Sequence, residues 1–462
     1  MAEIPKAKHQ IPNNIQIPIK VGFISLGCAK NLVDSEIIAT GLWRAGFTLA
    51  SAPEQADALV INTCAFINDA KREAVSTILE ASERKKSGQV KFLLVAGCLP
   101  QRYKGELRDL FPEVDAFIGT DRLKAVPALV KKLLHGRRGI FEVTREPRMV
   151  INPPRHRLIF TDAPHAYLKI AEGCDNHCSY CAIPQIRGRL RSRAVANILR
   201  EAEDLLGRGI RELDLIAQDI TAYGRDLGGK NNLAFLIRQL GRIGGEFWVR
   251  LLYAHPARVG DDLLAAIAET EQICRYLDIP IQHCDDEILR RMNRGGSERR
   301  LRQLFRKIRK KIPGISLRTT CLVGFPGETS RAFNRLADFV GEMEFDHLGV
   351  FAYSREEGTA AEGFEPQVHA ETVRRRRNIL LARQQNIVRK KLEKKIGETE
   401  EILVEKNKPG AQYIRLARSS WQAPEIDGLI RLRDRSGSCR PGMFVTARYV
   451  KALGYDLIAE IF

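Results

Sequence analysis

Apolar runs of six to eight residues alternate with longer amphipathic stretches along most of this 462-residue chain. Near the amino end the runs are VGFISLG, ALVINT and FLLVAG. Each reads as a buried strand, because β-branched and apolar residues run on without polar alternation and stop at a turn. Helix-like sequence follows each: NLVDSEIIATGLWRAG, INDAKREAVSTILEASERK and the QRYKGELRDLFP region. This βαβα order predicts an open parallel α/β domain over residues 20–135, after a loose extension at 1–19. Residues 136–160, rich in Arg and Pro, read as a linker.

A second alternating region spans 161–396. Its strand candidates are AYLKI, ELDLIAQD, WVRLLY, YLDIPIQ, SLRTTCLVG and HLGVFAY, with amphipathic helices such as ANILREAEDLLGRG and RLRQLFRKIRKKIP between them. Five or six βα units predict a full or partial (βα) barrel, whose chemistry belongs at the carboxyl ends of the strands. Residues 370–396 read as one long basic helix. From 397 to 462 the pattern changes to short β-like runs (TEEILVEK, GLIRLRD, MFVTARYVK, DLIAEIF) separated by Gly and Pro, which predicts a small β-barrel.

Charge adds a partner to this picture. A formal net charge of +18 suits an anionic partner such as nucleic acid or a ribonucleoprotein, although a merely basic soluble enzyme has the same composition. The runs RRLRQLFRKIRKKIP and RRRRNILLARQQNIVRKKLEKK read either as solvated helix faces or as contacts to ribosomal RNA. No apolar run reaches membrane-spanning length and the amino end lacks a secretion-signal core, so a cytoplasmic protein is expected. Ten cysteines in such a chain point to metal or redox chemistry rather than disulfides.

Cys174, Cys178 and Cys181, in AEGCDNHCSYCAIP, can aim three sulfurs from one loop at a single centre. Three ligands leave a coordination position open, which reactive centres need and structural ones avoid. A structural zinc site would need a fourth ligand from elsewhere, or from His177 inside the loop. Cys28, Cys64 and Cys98 form a second set. Each directly follows a predicted strand (ISLGC, INTC, VAGC), and two follow Gly27 and Gly97. Parallel strands place their carboxyl ends on one edge, so these thiols are expected to converge there. Three semi-buried cysteines at strand ends would look the same. Cys274 and Cys321 read as core residues, Cys439 lies in a tail loop, and Cys284 falls near the active end of the proposed barrel. Gln218 and Asp219 end the LIAQD strand, where a barrel places ligand contacts; strand-end capping is the other reading.

The CxxxCxxC triplet resembles the signature of the radical S-adenosylmethionine (radical SAM) superfamily. With SLGCAKNLVDSE, INTCAFI, VAGCLPQRY, RGRLRSR, LIAQDITAYGRDL, YLDIPIQH, MNRGG, VGFPGET, FAYSREEGT and APEIDG, the chain from about residue 20 onward resembles the radical SAM methylthiotransferase family. The resemblance implies two [4Fe-4S] clusters, one on Cys174, Cys178 and Cys181 and one on Cys28, Cys64 and Cys98. S-adenosylmethionine would bind the free iron of the first, with Tyr180 near its adenine and Gln218 and Asp219 as further contacts. A carbon radical made there would take a hydrogen from an unactivated substrate carbon, which acid–base catalysis cannot do. The second cluster would offer the sulfur, and a second S-adenosylmethionine the methyl group.

SLGCAKN, AEGCDNHCSYC, IAQDITAYG and YLDIPIQH are similar to the RimO-type branch, which implies an aspartate of small ribosomal subunit protein twelve as substrate. It also implies a TRAM-like tail that helps hold the substrate, an electron donor, and a ribosomal subunit or its RNA as a further partner. Two rival expectations stand beside it: a MiaB-type enzyme acting on a tRNA adenosine, and a zinc-stabilised RNA-binding protein without catalysis.

Overall fold

The computed structural model describes residues 17–229, 231–408, 410 and 413–461. The first sheet contains β1 (Ile17–Ser25), β2 (Phe47–Leu49), β3 (Ala58–Thr63), β4 (Phe92–Gly97), β5 (Ala116–Ile118) and β6 (Ile140–Glu142). Its order is β2-β1-β3-β4-β5-β6, all parallel. Every residue of β3 and β4 is buried, as unbroken apolar runs covered on both faces must be. The helices are α1 (Ala29–Arg44), α2 (Asn68–Lys86), α3 (Cys98–Tyr103), α4 (Leu107–Leu110) and α5 (Val126–Leu134). The stretch expected to form one helix around residue 105 is broken, because Lys104 turns to φ +50° between α3 and α4.

The segment expected as a loose linker is tied down at both ends. Ile140–Glu142 joins the sheet as its sixth strand, and Ile151, Arg157, Ile159 and Phe160 are buried. Of the expected amino-terminal extension, residues 17–19 already belong to β1, and residues 1–16 lie outside the described residues.

The second sheet is an open, six-stranded partial barrel. It comprises β7 (His165–Lys169), β10 (Glu212–Ile216), β11 (Trp248–Leu251), β12 (Ile273–Asp278), β13 (Ser316–Val323) and β14 (His347–Ala352), ordered β14-β13-β12-β11-β10-β7 and parallel throughout. A two-stranded ribbon, β8 (Ala171–Glu172) with β9 (Arg191–Ser192), brackets the cysteine loop and α6 (Ile183–Arg187). Helices α7 (Val195–Gly207), α8 (Leu233–Leu240), α9 (Asp261–Glu269), α10 (Asp286–Arg291), α11 (Glu298–Lys311), α12 (Ser330–Met343) and α13 (Ala370–Lys395) complete the domain.

The two basic helices are explained by one buried stripe each. In α11, Leu301, Phe305 and Ile308 face the core, while Arg302 pairs with Glu298 at 2.6 Å and Lys307 with Asp261 at 2.8 Å. In α13 the stripe is Arg376, Leu380, Gln384, Val388 and Leu392, one residue every four. Their remaining charges form solvated faces.

The tail is a closed five-stranded barrel of β15 (Thr399–Asn407), β16 (Ile414–Ser419), β17 (Ile430–Arg433), β18 (Phe444–Leu453) and β19 (Asp456–Ile461). Of these, β16 is absent from the sequence-based expectation. Its arginines disguise it, yet Arg418 is buried and spans to Glu405 at 2.6 Å and to Glu212 of the second sheet at 2.5 Å.

Side chains at alternate positions of the second sheet face inward. They include Tyr167, Glu212, Asp214, Arg250, Tyr276, Arg318 and His347, and the tail barrel neutralises much of this set. Asp427 accepts from Arg318 at 2.7 Å and from the Tyr276 hydroxyl at 2.9 Å; Glu425 accepts from Tyr167 at 2.9 Å. Arg250 donates to Glu212 at 2.5 Å and to the Ser420 carbonyl at 2.7 Å. Arg250 and Arg318 are thereby committed to domain docking. The APEIDG motif owes its acidic residues to the same task.

Candidate active site

The loop from Gly173 to Pro184 leaves β8 and enters α6. Cys174, Cys178 and Cys181 are half-buried along it, and the backbone N–H of Asn176 points at the Cys174 sulfur, 3.4 Å away. Two clasps hold the loop. On one side Asp219 accepts from Asn176 at 2.9 Å and from Arg258 at 2.6 Å, and Arg258 donates in turn to Asn176 at 2.6 Å. On the other, the MNRGG turn accepts the Ser179 N–H at the Met292 carbonyl (3.0 Å), while Asn293 donates to the His177 carbonyl at 2.8 Å.

Arg294 from that turn approaches the Cys178 sulfur at 3.6 Å and donates to the Tyr180 hydroxyl at 3.2 Å. The Tyr180 ring packs edge-on against Phe325, with centroids 6.4 Å apart. Burial pushes the Cys181 thiol up to about 12 and raises Cys174 as well, and the neighbouring thiols add to both rises. Such thiols need a cation or a metal to ionise.

Of the expected contacts at the end of β10, Asp219 has both carboxylate oxygens engaged within the protein, the second by the Thr221 N–H at 3.0 Å. It anchors the loop. Gln218 differs: its Oε1 is buried without a hydrogen-bond partner among the described residues, as befits an acceptor awaiting a ligand. His177 is exposed.

Cys28, Cys64 and Cys98 follow β1, β3 and β4, which are adjacent strands of one sheet. Gly27 lies against Cys64: a methyl group placed on it would stand 3.0 Å from the Cys64 sulfur, and its φ of +90° disfavours any side chain. Gly97, at φ +98°, passes so close to Asn62 and the Thr63 carbonyl that a methyl group would sit 2.3 Å and 2.7 Å from them. These glycines let the three strand ends close in.

Burial would raise the Cys28 thiol, yet Lys30, Arg187 and two backbone N–H groups carry it below its usual value. Burial, reinforced by Cys98 and Cys28, pushes Cys64 up to about 12. Among the described residues no three His, Cys, Asp or Glu groups stand close enough to hold a single metal ion. Three thiols that would each bind a different iron of one cluster need not converge as ligands of a single ion do at about 2.3 Å.

Residues that carried no chemistry in the sequence reading join the two domains. Arg187 begins its reach at the end of α6, six residues after Cys181. Its guanidinium lies 3.4 Å from the Cys98 sulfur, 2.6 Å from Asn31 Oδ1 and 2.8 Å from Asp34. Lys169 of β7 pairs with Asp34 and Glu172. Arg157, from the supposed linker, pairs with Glu36 of α1 and, at 3.0 Å, with Glu201 of α7. Asn31, Asp34 and Glu36 therefore make α1 a polar seam between the first sheet and the carboxyl end of β7, and Cys98 of the second trio borders that seam. The motifs SLGCAKNLVDSE and RGRLRSR contain Asn31, Asp34, Glu36 and Arg187 but not their pairing.

A cavity of about 240 Å³ lies elsewhere, between α13, the tail barrel and the second sheet, lined in part by His347, Lys391, Lys395 and Trp421.

One substitution isolates the second trio. Gly27→Ala is expected to cost about 1–2 kcal/mol for the left-handed backbone alone. Where the second trio holds the cluster that the sequence resemblance implies, crowding of Cys64 should also lower the iron and sulfide content. Metal analysis and urea unfolding of the variant check this.

Residues 20–119 match the family described as uncharacterized protein family UPF0004, residues 168–340 the radical SAM superfamily, and residues 396–462 the TRAM domain. The chain is similar in fold to a radical S-adenosylmethionine methyltransferase, TsrM, of Kitasatospora setae, with a TM-score of 0.55 at 15% identity, covering 72% of each chain. A similar likeness extends to the cobalamin-dependent radical enzyme OxsB, with a TM-score of 0.52 at 12% identity, over 79% of this chain and 56% of that one. In sequence it is 46% identical to the ribosomal protein uS12 methylthiotransferase RimO of Syntrophus aciditrophicus, over 96% of this chain and 98% of that protein. The RimO of Pelotomaculum thermopropionicum is 45% identical over 96% and 99%. With identity of this order along nearly its whole length, and with thiol trios on both sides of an interdomain seam, this chain belongs to the RimO family of radical SAM methylthiotransferases.

Proposed function

We propose that the protein replaces a hydrogen on the β-carbon of an aspartate in ribosomal protein uS12 with a methylthio group, using S-adenosylmethionine and two [4Fe-4S] clusters. One observation carries this reading: near full-length identity of 43–46% to uS12 methylthiotransferases. Cys174, Cys178 and Cys181 would hold the first cluster and Cys28, Cys64 and Cys98 the second. The donor sets fit: each offers three thiols, with a guanidinium beside one of them that offsets thiolate charge, and His177 of the first loop is turned to solvent. Bound there, the clusters supply the radical and sulfur chemistry that amino-acid side chains lack.

The protein's own residues position and exclude. Asp219 and Arg258 fix the loop that presents the first trio, and Gln218 offers a buried acceptor beside it. Tyr180 and Phe325 form an apolar wall that keeps water from the reacting atoms. The tail barrel and the solvated basic faces would meet the ribosome or its RNA in a salt-dependent way. No helix among the described residues is long and apolar enough to cross a membrane. We place the enzyme in the cytoplasm, with its substrate and an electron donor.

Intact-mass measurement of uS12 from cells with and without the gene tests the proposal. The increment of one methylthio group is expected to vanish on deletion and return on complementation. An unchanged uS12, with the increment lost from a tRNA nucleoside instead, would establish the MiaB-type activity. A colourless protein rich in zinc would establish the non-catalytic alternative.

A further inference from the structure

We infer that Lys30 receives the carboxylate of the substrate aspartate and thereby sets specificity for an acidic side chain. The inference rests on the function proposed above and extends it to one residue.

Lys30 lies two residues after Cys28, in the first turn of α1, and is half-buried. Its ammonium crosses the seam to the second domain and sits 3.6 Å from the centre of the Tyr253 ring. Among the described residues it makes no hydrogen bond, and no carboxylate lies within 4.0 Å of it. The other cations of the seam are all matched: Arg187 and Lys169 by Asp34 and Glu172, Arg157 by Glu36 and Glu201. A lysine in the first helical turn also meets the positive end of the helix dipole, and α1 has no acidic residue there to offset it. Burial opposes its charge, but Tyr253, Cys28 and Asp278 favour it, so the cation is retained with an aromatic face on one side and no carboxylate fixed on it.

The ring beneath it is held with equal care. Tyr253 follows β11 at φ +69°, a region that bulky residues rarely enter. Two contacts fix it there: its N–H donates to Asp278 at 3.0 Å, and its carbonyl accepts from the Ile220 N–H at 3.2 Å. Strain of this kind persists where the surrounding structure over-determines it, most often at ligand clamps.

The chemistry selects the ligand. An open ammonium beside an aromatic ring calls for an anion. In an aspartate side chain the carboxylate carbon is bonded directly to the β-carbon that takes the sulfur. An anchor for that carboxylate must therefore lie next to the sulfur-bearing trio, and Lys30 is two residues from Cys28. An adenine base presents no carboxylate for such an anchor.

Isothermal titration of anaerobically reconstituted holoenzyme, without reductant, tests this with two synthetic peptides. One is the uS12 segment bearing the target aspartate; the other carries asparagine in its place. The wild-type enzyme is expected to favour the aspartate peptide by about tenfold or more, the size of a charge-assisted hydrogen bond. Lys30→Met should abolish the preference and raise KM for uS12, and Lys30→Arg should restore part of both. Iron and sulfide content, together with circular dichroism, identify a variant that is folded and loaded.

Equal peptide preference in Lys30→Met and wild type would overturn the inference, as would a rise in KM for S-adenosylmethionine in place of uS12. Both results leave the uS12 activity standing. A wild-type enzyme that modifies tRNA and not uS12 would overturn both, and that outcome is read without any variant.

Discussion

Replacing Cys174, Cys178 and Cys181 with alanine is expected to reduce 5′-deoxyadenosine formation to background and to abolish methylthio product. Replacing Cys28, Cys64 and Cys98 is expected to leave 5′-deoxyadenosine formation largely in place and to stop sulfur insertion. The asymmetry follows from where the trios lie. The first occupies a single loop of the second domain, clasped by Asp219, Arg258 and the MNRGG turn, none of which belongs to the first sheet. The second occupies strand ends of that sheet. The four cysteines outside the trios, Cys274, Cys284, Cys321 and Cys439, are buried and do not present themselves as substitutes. Chromatographic assay of 5′-deoxyadenosine alongside peptide mass analysis reads both steps. Methylthiolated product from the second triple variant would disprove the assignment of that trio.

Arg187→Met should be the most damaging change away from the cysteines. The guanidinium is buried and serves Asp34, Glu172, Asn31 and the Cys98 sulfur together. Removing it leaves Asp34 and Glu172 in a low-dielectric seam with Lys169 as the cation still paired to both, and breaking a buried pair from one side costs about 3–5 kcal/mol. Urea unfolding of the apoprotein is expected to shift by that amount. Arg187→Lys should recover only part, since an ammonium cannot fork among four partners. A shift below about 1 kcal/mol would show that the network is not the joint described here.

The sequence made some of this plain and concealed the rest for identifiable reasons. The β3 and β4 runs were legible because both faces are covered, and α11 because its Leu301, Phe305, Ile308 stripe keeps helical spacing. The first trio was legible because one loop carries all three sulfurs. The second was legible because parallel strands share an edge. Strand β16 was hidden because Arg415 and Arg418 look solvated, yet ion pairs to Asp434 and Glu212 bury them. On α1, Asn31, Asp34 and Glu36 are polar side chains of a kind usually found at the surface. They are buried, because a second domain with matching cations packs on that side. Lys30, Arg187, Arg258 and Arg294 owe their roles to partners dozens of residues away or more, and periodicity within one element carries no information about such pairs.

The acidic seam of α1 also bears on the order in which the molecule can be born. Asp34 and Glu36 leave the ribosomal tunnel well over a hundred residues ahead of Arg157, Lys169 and Arg187. Until those cations emerge, the nascent amino-terminal unit carries a helix whose inward charges have nothing to neutralise them. It must wait, loosely packed, for the cysteine loop and α6 to be synthesised, so its maturation is tied to that of the neighbour it will work against.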